Sequence, residues 1–501
     1  MYKINRQMSI AEFISPFGEL NKNNRWVRIA EMIPWEVYEE AYAEKFSDDT
    51  GAPAIPFRAA LGTLIIKQRT GSSDEEVMQH ILENPYMQFL IGLQEFTHEE
   101  PFSVRSVTNF RKRLDAETID RINREIFRKE AAAARGDGPE DGTGNGCGGS
   151  GPEGGDDGRP FDGGGAPPNR GFLILDATCT PADIAFPTDE GLLNEAREKL
   201  EAIIDALHPY TGDTVKPRTY RGEAGRRHAN FVRSRKPRKK TVRKATGQQL
   251  RYVRRNLAHV DAQLEKAPAG VLYGREAAWL ETIRELYRQQ ELMHRAKTRS
   301  VPDRIVSIGQ PHVRPIVRGK AKSPTEFGAK VSVSMVGGFA FVDKIAWDAY
   351  SEAELLVPAV LGYRREHGCF PEAVLADKLY RNRANLAFCK KHGIRLSGPK
   401  LGRPTKVPDR MRKLIERWDS RERNAVEGKF GEGKTRYGLD RVMARLKETS
   451  ETVISLAFLC MNIGKKLRLL FDFFSKHPKY GILFVYKLSN RQLYFKNHVF
   501  S

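Results

Sequence analysis

The chain has 501 residues, of which 40% are hydrophobic and 29% charged, and its 83 Lys and Arg against 63 Asp and Glu give a formal net charge of +20. These numbers describe an ordinary soluble protein long enough for two or more domains with apolar cores. The charge calls for a polyanionic partner, nucleic acid first, because Lys and Arg that neutralise phosphates release condensed counterions. The five cysteines form no Cys-x-x-Cys pair, which speaks against a disulfide framework or a zinc knuckle. No secretory leader opens the chain, and its most apolar late stretch, Val453 to Ile463, is too short to span a bilayer, so the expected place is the cytoplasm with no membrane partner.

Residues 1–135 read as a helical, DNA-binding domain. Ser9-Ile10-Ala11-Glu12 has the pattern of a capping box, and a helical run from Phe57 to Gln68 is followed by a break at Gly71-Ser72-Ser73-Asp74. A second run from Glu75 to Leu93 contains Pro85, which breaks or kinks it. A further helix, Val104 to Leu114, carries Arg105, Arg111, Lys112 and Arg113 with Ser106, Thr108 and Asn109 between them. Such a helix has the donors that a helix-turn-helix reader presents to the major groove, although a plain solvated basic face has the same pattern. Residues 136–170 are rich in Gly, Pro and acids and read as a flexible linker that cannot bury enough surface to offset its ordering entropy.

At Gly171 the pattern changes. Phe172-Leu173-Ile174-Leu175 is an apolar run that stops at Asp176, and Ala373-Val374-Leu375-Ala376 stops in the same way at Asp377. Both read as strands buried on two faces that deliver an acid where open α/β sheets place their ligands. A short strand is expected at Ile184 to Phe186, then a helix with Leu193, Ala196, Leu200, Ile203, Ile204 and Leu207 at helical spacing. Between Lys216 and Arg255 lies the most basic part of the chain, including Arg235, Lys236, Arg238, Lys239 and Lys240, with Tyr220, Phe231 and Tyr252 interleaved. The cations can track a phosphate backbone; the aromatics are either base platforms or ordinary core. Another helical run holds Leu272, Trp279, Ile283, Leu286 and Tyr287, so residues 193–324 form a basic, mostly helical insertion between the two aspartates. Alternation on both sides of Gly337-Gly338, from Val331 to Trp347, predicts a β-hairpin. Helices are expected from Glu352, over Arg383 to Lys391 and over Val453 to Ile463, with a loop at 398–404 and an unassigned tail at 476–501.

A third acid, Glu427, lies in a helical stretch. At about 100° per residue, Arg423, Glu427 and Lys434 fall on one face, Val426, Phe430 and Tyr437 anchor the adjoining one, and Glu432 points elsewhere. Gly428, Gly431 and Gly433 conflict with a helix interior, which is understandable where the backbone comes close to DNA or a strand. Asp176, Asp377 and Glu427 are hard oxygen donors of the kind that hold two Mg²⁺ or Mn²⁺ ions about 4 Å apart for in-line phosphodiester displacement.

The order Asp176, Asp377, then Arg423-x3-Glu427-x6-Lys434 resembles the DDE transposases of bacterial insertion sequences, in particular the group with a Tyr-Arg-Glu-Lys signature. Met8-Ser9-Ile10-Ala11-Glu12-Phe13 and Asp176-Ala177-Thr178 followed by Phe186-Pro187-Thr188-Asp189 are similar to the wording of that group. The signature tyrosine position holds Ser420. The resemblance implies an α/β fold: an RNase H-like mixed sheet with flanking helices over 171–475, a mostly helical insertion and a separate helical N-terminal domain. It further implies catalytic, metal-holding Asp176, Asp377 and Glu427, phosphate contacts from Arg423 and Lys434, metal-dependent cleavage and strand transfer, and a homodimer on DNA. Two rival readings are a non-catalytic DNA-binding regulator and a nuclease without strand transfer.

Overall fold

The computed structural model describes residues 10–16, 18–46, 54–133, 168–317, 325–399 and 410–476. Ser9, most of the Gly-rich stretch 136–170, most of the loop 398–404 and the tail after Lys476 lie outside them. Seven helices come first: α1 (Arg25–Met32), α2 (Trp35–Ala43), α3 (Phe57–Thr70), α4 (Asp74–Glu83), α5 (Pro85–Leu90), α6 (Val104–Arg113) and α7 (Ala116–Ala133). A reciprocal capping box starts α4, in which Ser73 Oγ accepts from Glu76 N at 3.1 Å and Glu76 accepts from Ser73 N at 2.7 Å. The run predicted from Glu75 to Leu93 is two helices, because Pro85 cannot donate and Asn84 caps α5 through Oδ1. Residues Ile10–Glu12 form a single 3-10 turn.

Six strands follow in a mixed sheet: β1 (Phe172–Pro181), β2 (Arg314–Val317), β3 (Thr325–Val336), β4 (Phe339–Ala346), β5 (Ala373–Ala376) and β6 (Arg395–Leu396). β3 pairs antiparallel with β1 on one side and with β2 and β4 on the other, while β1, β5 and β6 run parallel. This is an RNase H-like sheet. The hairpin turn between β3 and β4 places Gly337 and Gly338 at φ of +56° and +78°, the left-handed pair that a two-residue turn demands. Two expectations are corrected. β1 does not end at Asp176 but continues to Pro181, carried by its pairing with β3 down to Gly328. Ile184 to Phe186 is not a strand, since both edges of β3 are already occupied; Ala182 makes only an isolated bridge to Val442 and Phe186 is exposed.

The insertion holds α8 (Asp189–Leu207), α9 (Arg221–Val232), α10 (Lys239–Lys266) and α11 (Gly274–Ala296), which close on a core of their own that includes Leu193, Ile203, Leu250, Val253, Ile283 and Leu286. The interval 193–324 is helical as far as α11, after which it contributes β2 to the sheet. The sheet is covered by α12 (Leu356–His367), α13 (Arg383–Lys391), α14 (Arg410–Arg436) and α15 (Lys447–Lys476), whose middle is the apolar stretch 453–463 and is buried. Among the described residues no helix is long and apolar enough to cross a membrane.

The helical N-terminal region is present, but it is not separate from the sheet. Its apolar residues and those of the sheet make one continuous core. Phe127 of α7 stacks on Phe339 of β4 at 5.3 Å, and Asn462 of α15 donates to Asn123 of α7 at 2.9 Å and to the Ala340 carbonyl at 2.8 Å. These amides are fully buried and mutually satisfied, which fixes the relative position of three elements.

Candidate active site

The sheet register brings the first two acids together. Leu175 of β1 pairs with Ala376 of β5 in parallel, so Asp176 and Asp377, each the next residue, stand side by side on one face of the pleat where that pairing stops. Asp377 accepts from Lys378 N at 2.6 Å and caps a short 3-10 turn, and Asp176 accepts from Ala177 N at 2.8 Å. Burial raises the Asp176 carboxyl above its ordinary range; the charges of Glu352 and Asp377 push the same way, against the Ala177 N–H and Arg423.

The third acid arrives on α14. Val426, Phe430 and Tyr437 bury one face of this helix and its following turn, which leaves Glu427 outward with a side chain 60% exposed. Arg423, one turn earlier, spans the gap: its Nη1 lies 3.3 Å from Asp176 Oδ2 and its Nη2 3.5 Å from Glu427 Oε1. One guanidinium therefore links the β1 acid to the α14 acid. Ser420 is exposed a turn before Arg423, and Lys434 is partly buried two turns beyond Glu427. Glu432 turns away, as its spacing predicts, into ion pairs with Lys429 at 3.1 Å and Arg468 of α15 at 3.0 Å. Of the three glycines, Gly433 answers to helix packing, since a Cβ there would stand 2.7 Å from Leu439 Cδ1 and 3.1 Å from Met461 Sδ. Gly428 and Gly431 face open space.

Among the described residues no three His, Cys, Asp or Glu side chains are close enough to share one metal ion. The donor set nevertheless fits Mg²⁺ or Mn²⁺. Such ions take one or two carboxylates and complete their shells with water and substrate phosphate, and a cation, the Arg423 guanidinium, already lies between Asp176 and Glu427. The sequence reading missed Glu352, whose charge bears on Asp176 and which is neutralised by Lys330 of β3 at 2.8 Å. Neither residue carried a signal, because an acid in a helical pattern and a lysine in an alternating strand are commonplace.

The cations singled out for DNA fall into two sets. Arg111 is held by Asp74 of α4 through bonds of 2.8 and 2.7 Å; burial alone would raise that carboxyl, but Arg111 and Lys67 outweigh it and hold it at about 2. Arg113 lies over the Phe46 ring at 4.5 Å, whereas Lys112 is exposed on the face of α6 that also shows Arg105 and Asn109. Arg235, Lys236, Arg238, Lys239 and Lys240 are all exposed, in the α9–α10 connection and the first turn of α10. That first turn has no acid and no side-chain cap, an arrangement that opposes the helix dipole and favours a bound anion.

Two aspartates on or next to adjacent parallel strands and a glutamate on the long helix that follows are thus brought to one region. A family model described as Transposase DDE domain matches residues 374–464, from β5 through most of α15, and one described as Transposase domain (DUF772) matches residues 16–113. The two matches support a DDE transposase of an insertion sequence. It is 29% identical over 181 residues to the uncharacterized protein ORF8 in the nfe locus of Rhizobium meliloti, a stretch covering 36% of this chain and 73% of that one. No solved structure matches it.

Proposed function

We propose that this transposase binds the ends of its insertion sequence, cuts DNA there and joins the freed end to a target, with Asp176, Asp377 and Glu427 as the catalytic acids and a homodimer as the DNA-bound form. The observation that carries this is the register of β1 and β5, which ends at Leu175 and Ala376 one residue before Asp176 and Asp377, together with the reach of Arg423 from Asp176 to Glu427. The three acids would hold two Mg²⁺ or Mn²⁺ ions, which when bound polarise the scissile phosphate and stabilise the attacking and leaving oxygens. Water opens the phosphodiester at the transposon end and releases a 3′ hydroxyl; that hydroxyl then attacks a target phosphate, and the target strand's own 3′ oxygen leaves. Arg423 has the fork to donate to a phosphate oxygen once the acids are otherwise neutralised, and Lys434 adds a point charge on the same face of α14. Ser420 in place of the signature tyrosine departs from the Tyr-Arg-Glu-Lys group and removes one aromatic DNA contact, but none of the acids.

The test uses purified protein, duplexes carrying the element's own ends, and Mg²⁺ or Mn²⁺. Asp176→Ala and Asp377→Ala are each expected to lower both cutting and joining at least about 100-fold, near 3 kcal/mol of transition-state stabilisation, with DNA affinity largely kept. Joining at the wild-type rate by either variant overturns the assignment. Cutting without joining by the wild type supports the nuclease reading, and binding without cutting the regulator reading.

A further inference from the structure

The loop ahead of α9 combines a strained backbone position with two cations gathered on one ring. Tyr220, the N-cap of α9, has φ +56° and ψ 30°, a left-handed conformation that glycine adopts freely and a bulky residue rarely does. Arg218 and Arg255 both lie over its ring, each 4.4 Å from the centroid, so two like charges are gathered on one side chain. Among the described residues no carboxylate pairs with either guanidinium, whereas the neighbouring Lys216 and Arg221 share Asp205 at 2.8 Å. Arg255 also donates to the Thr219 carbonyl at 2.7 Å, which ties α10 to the loop and holds its shape. The loop borders an open cleft of about 480 Å³ lined by Lys216, Arg218, Tyr220 and Arg221 and by a single acid, Glu223, which Arg227 already neutralises.

Backbone strain and unbalanced charge in one place are understandable where a ligand supplies the missing interaction. The missing interaction here is negative charge. With two guanidinium groups over it, the Tyr220 ring serves to arrange cations. Guanidinium forks match phosphate oxygens in number and geometry. We infer that the 216–221 loop and Arg255 form a seat for a backbone phosphate of DNA, a contact that rests on the DNA-binding reading above. Asp205 follows Asp189 by 16 residues on α8, about 24 Å of helix. The seat therefore lies beside the C-terminal end of α8, where Arg221 meets Asp205, and holds duplex there.

The experiment measures affinity of the full chain for an element-end duplex and for a random duplex of equal length over a range of salt concentrations, with Arg218→Ala and Tyr220→Gly. Each variant should bind both duplexes about 3- to 10-fold more weakly at low salt, with the slope of log affinity against log salt reduced by about 1. Tyr220→Gly should do so with an unchanged or higher melting temperature, because glycine relieves the left-handed strain. Wild-type affinity and slope in both variants overturns the seat. A melting temperature raised by inorganic phosphate at matched ionic strength, lost in Arg218→Ala while DNA affinity is unchanged, marks a free-anion site and overturns the assignment to DNA. Wild-type protein that binds neither duplex sinks the DNA-binding reading itself, whereas wild-type binding with unaltered variants sinks the seat alone.

Discussion

Glu427 and Glu432 lie on one helix and have opposite surroundings. Glu427 is largely exposed and pairs with Arg423, so Glu427→Gln should remove metal-dependent cleavage and leave the circular dichroism spectrum and melting temperature close to wild type. Glu432, with 16% of its side chain exposed, joins Lys429 to Arg468 across α14 and α15. Its Gln variant should keep most activity and lose about 1–3 kcal/mol of stability in denaturant titration; the reverse pattern would exchange their roles. Asp120 of α7 gives a pH signature. Burial and the charge of Asp343 push its carboxyl up to about 7, against Ser455 and Arg124. An acid whose folded pKa is raised from 3.8 to about 7 confers stability that is complete below the lower value and lost as pH rises through the upper one. Asp120→Asn should therefore raise the melting temperature more at pH 8 than at pH 5, and an equal effect at both would mean Asp120 ionises normally. The three acids proposed for catalysis could be singled out in the sequence because apolar runs end at two of them and helical spacing isolates the third. Lys330, Glu352 and the Asp74 clasp on Arg111 were not, since they depend on which side chains meet across elements.

The elements themselves were legible where a single period or turn governs them. Pro85, Gly337-Gly338 and the spacing of Val426, Phe430 and Tyr437 each found the place in the fold that their chemistry requires. The far half of β1 was hidden because its continuation through Thr178 and Thr180 depends on β3, more than a hundred residues away in sequence, and Ile184 to Phe186 failed because no edge was free to receive it. In α14 the glycines looked alike from sequence and differ in space. Gly433→Ala drives a methyl into Leu439 and Met461 and should cost about 1–3 kcal/mol. Gly431→Ala enters open space and should stabilise the helix by up to about 1 kcal/mol. The same response from both variants in chemical denaturation, or a stabilising Gly433→Ala, would mean that α14 and α15 pack otherwise than described.

At the scale of the whole molecule, the Gly-rich stretch marks a border in sequence that does not exist in the core. Phe127, Asn123 and the rest of α7 close the face of β4 and the buried polar end of α15, so a chain starting at residue 168 would leave Phe339 without its stacking partner and Asn462 without the Asn123 carbonyl. The insertion is built the other way. Its core is a cluster of its own, and its two ends meet where Gln310 donates to the Asp183 carbonyl at 2.9 Å. A fully buried Phe or Leu is worth about 1.5–3 kcal/mol, and whole-domain stability is only about 5–15 kcal/mol, so opening the shared core at several such positions exceeds what the sheet can lose. Deleting residues 1–133 should therefore yield aggregated protein without a cooperative thermal transition. Replacing residues 187–309 with a short Gly-rich linker should yield a soluble protein that still unfolds cooperatively and binds DNA with a shallower salt dependence, because the cations from Lys216 to Arg255 go with it. A soluble, cooperative fragment beginning at residue 168 would show that the N-terminal helices only lean on the sheet and do not complete it.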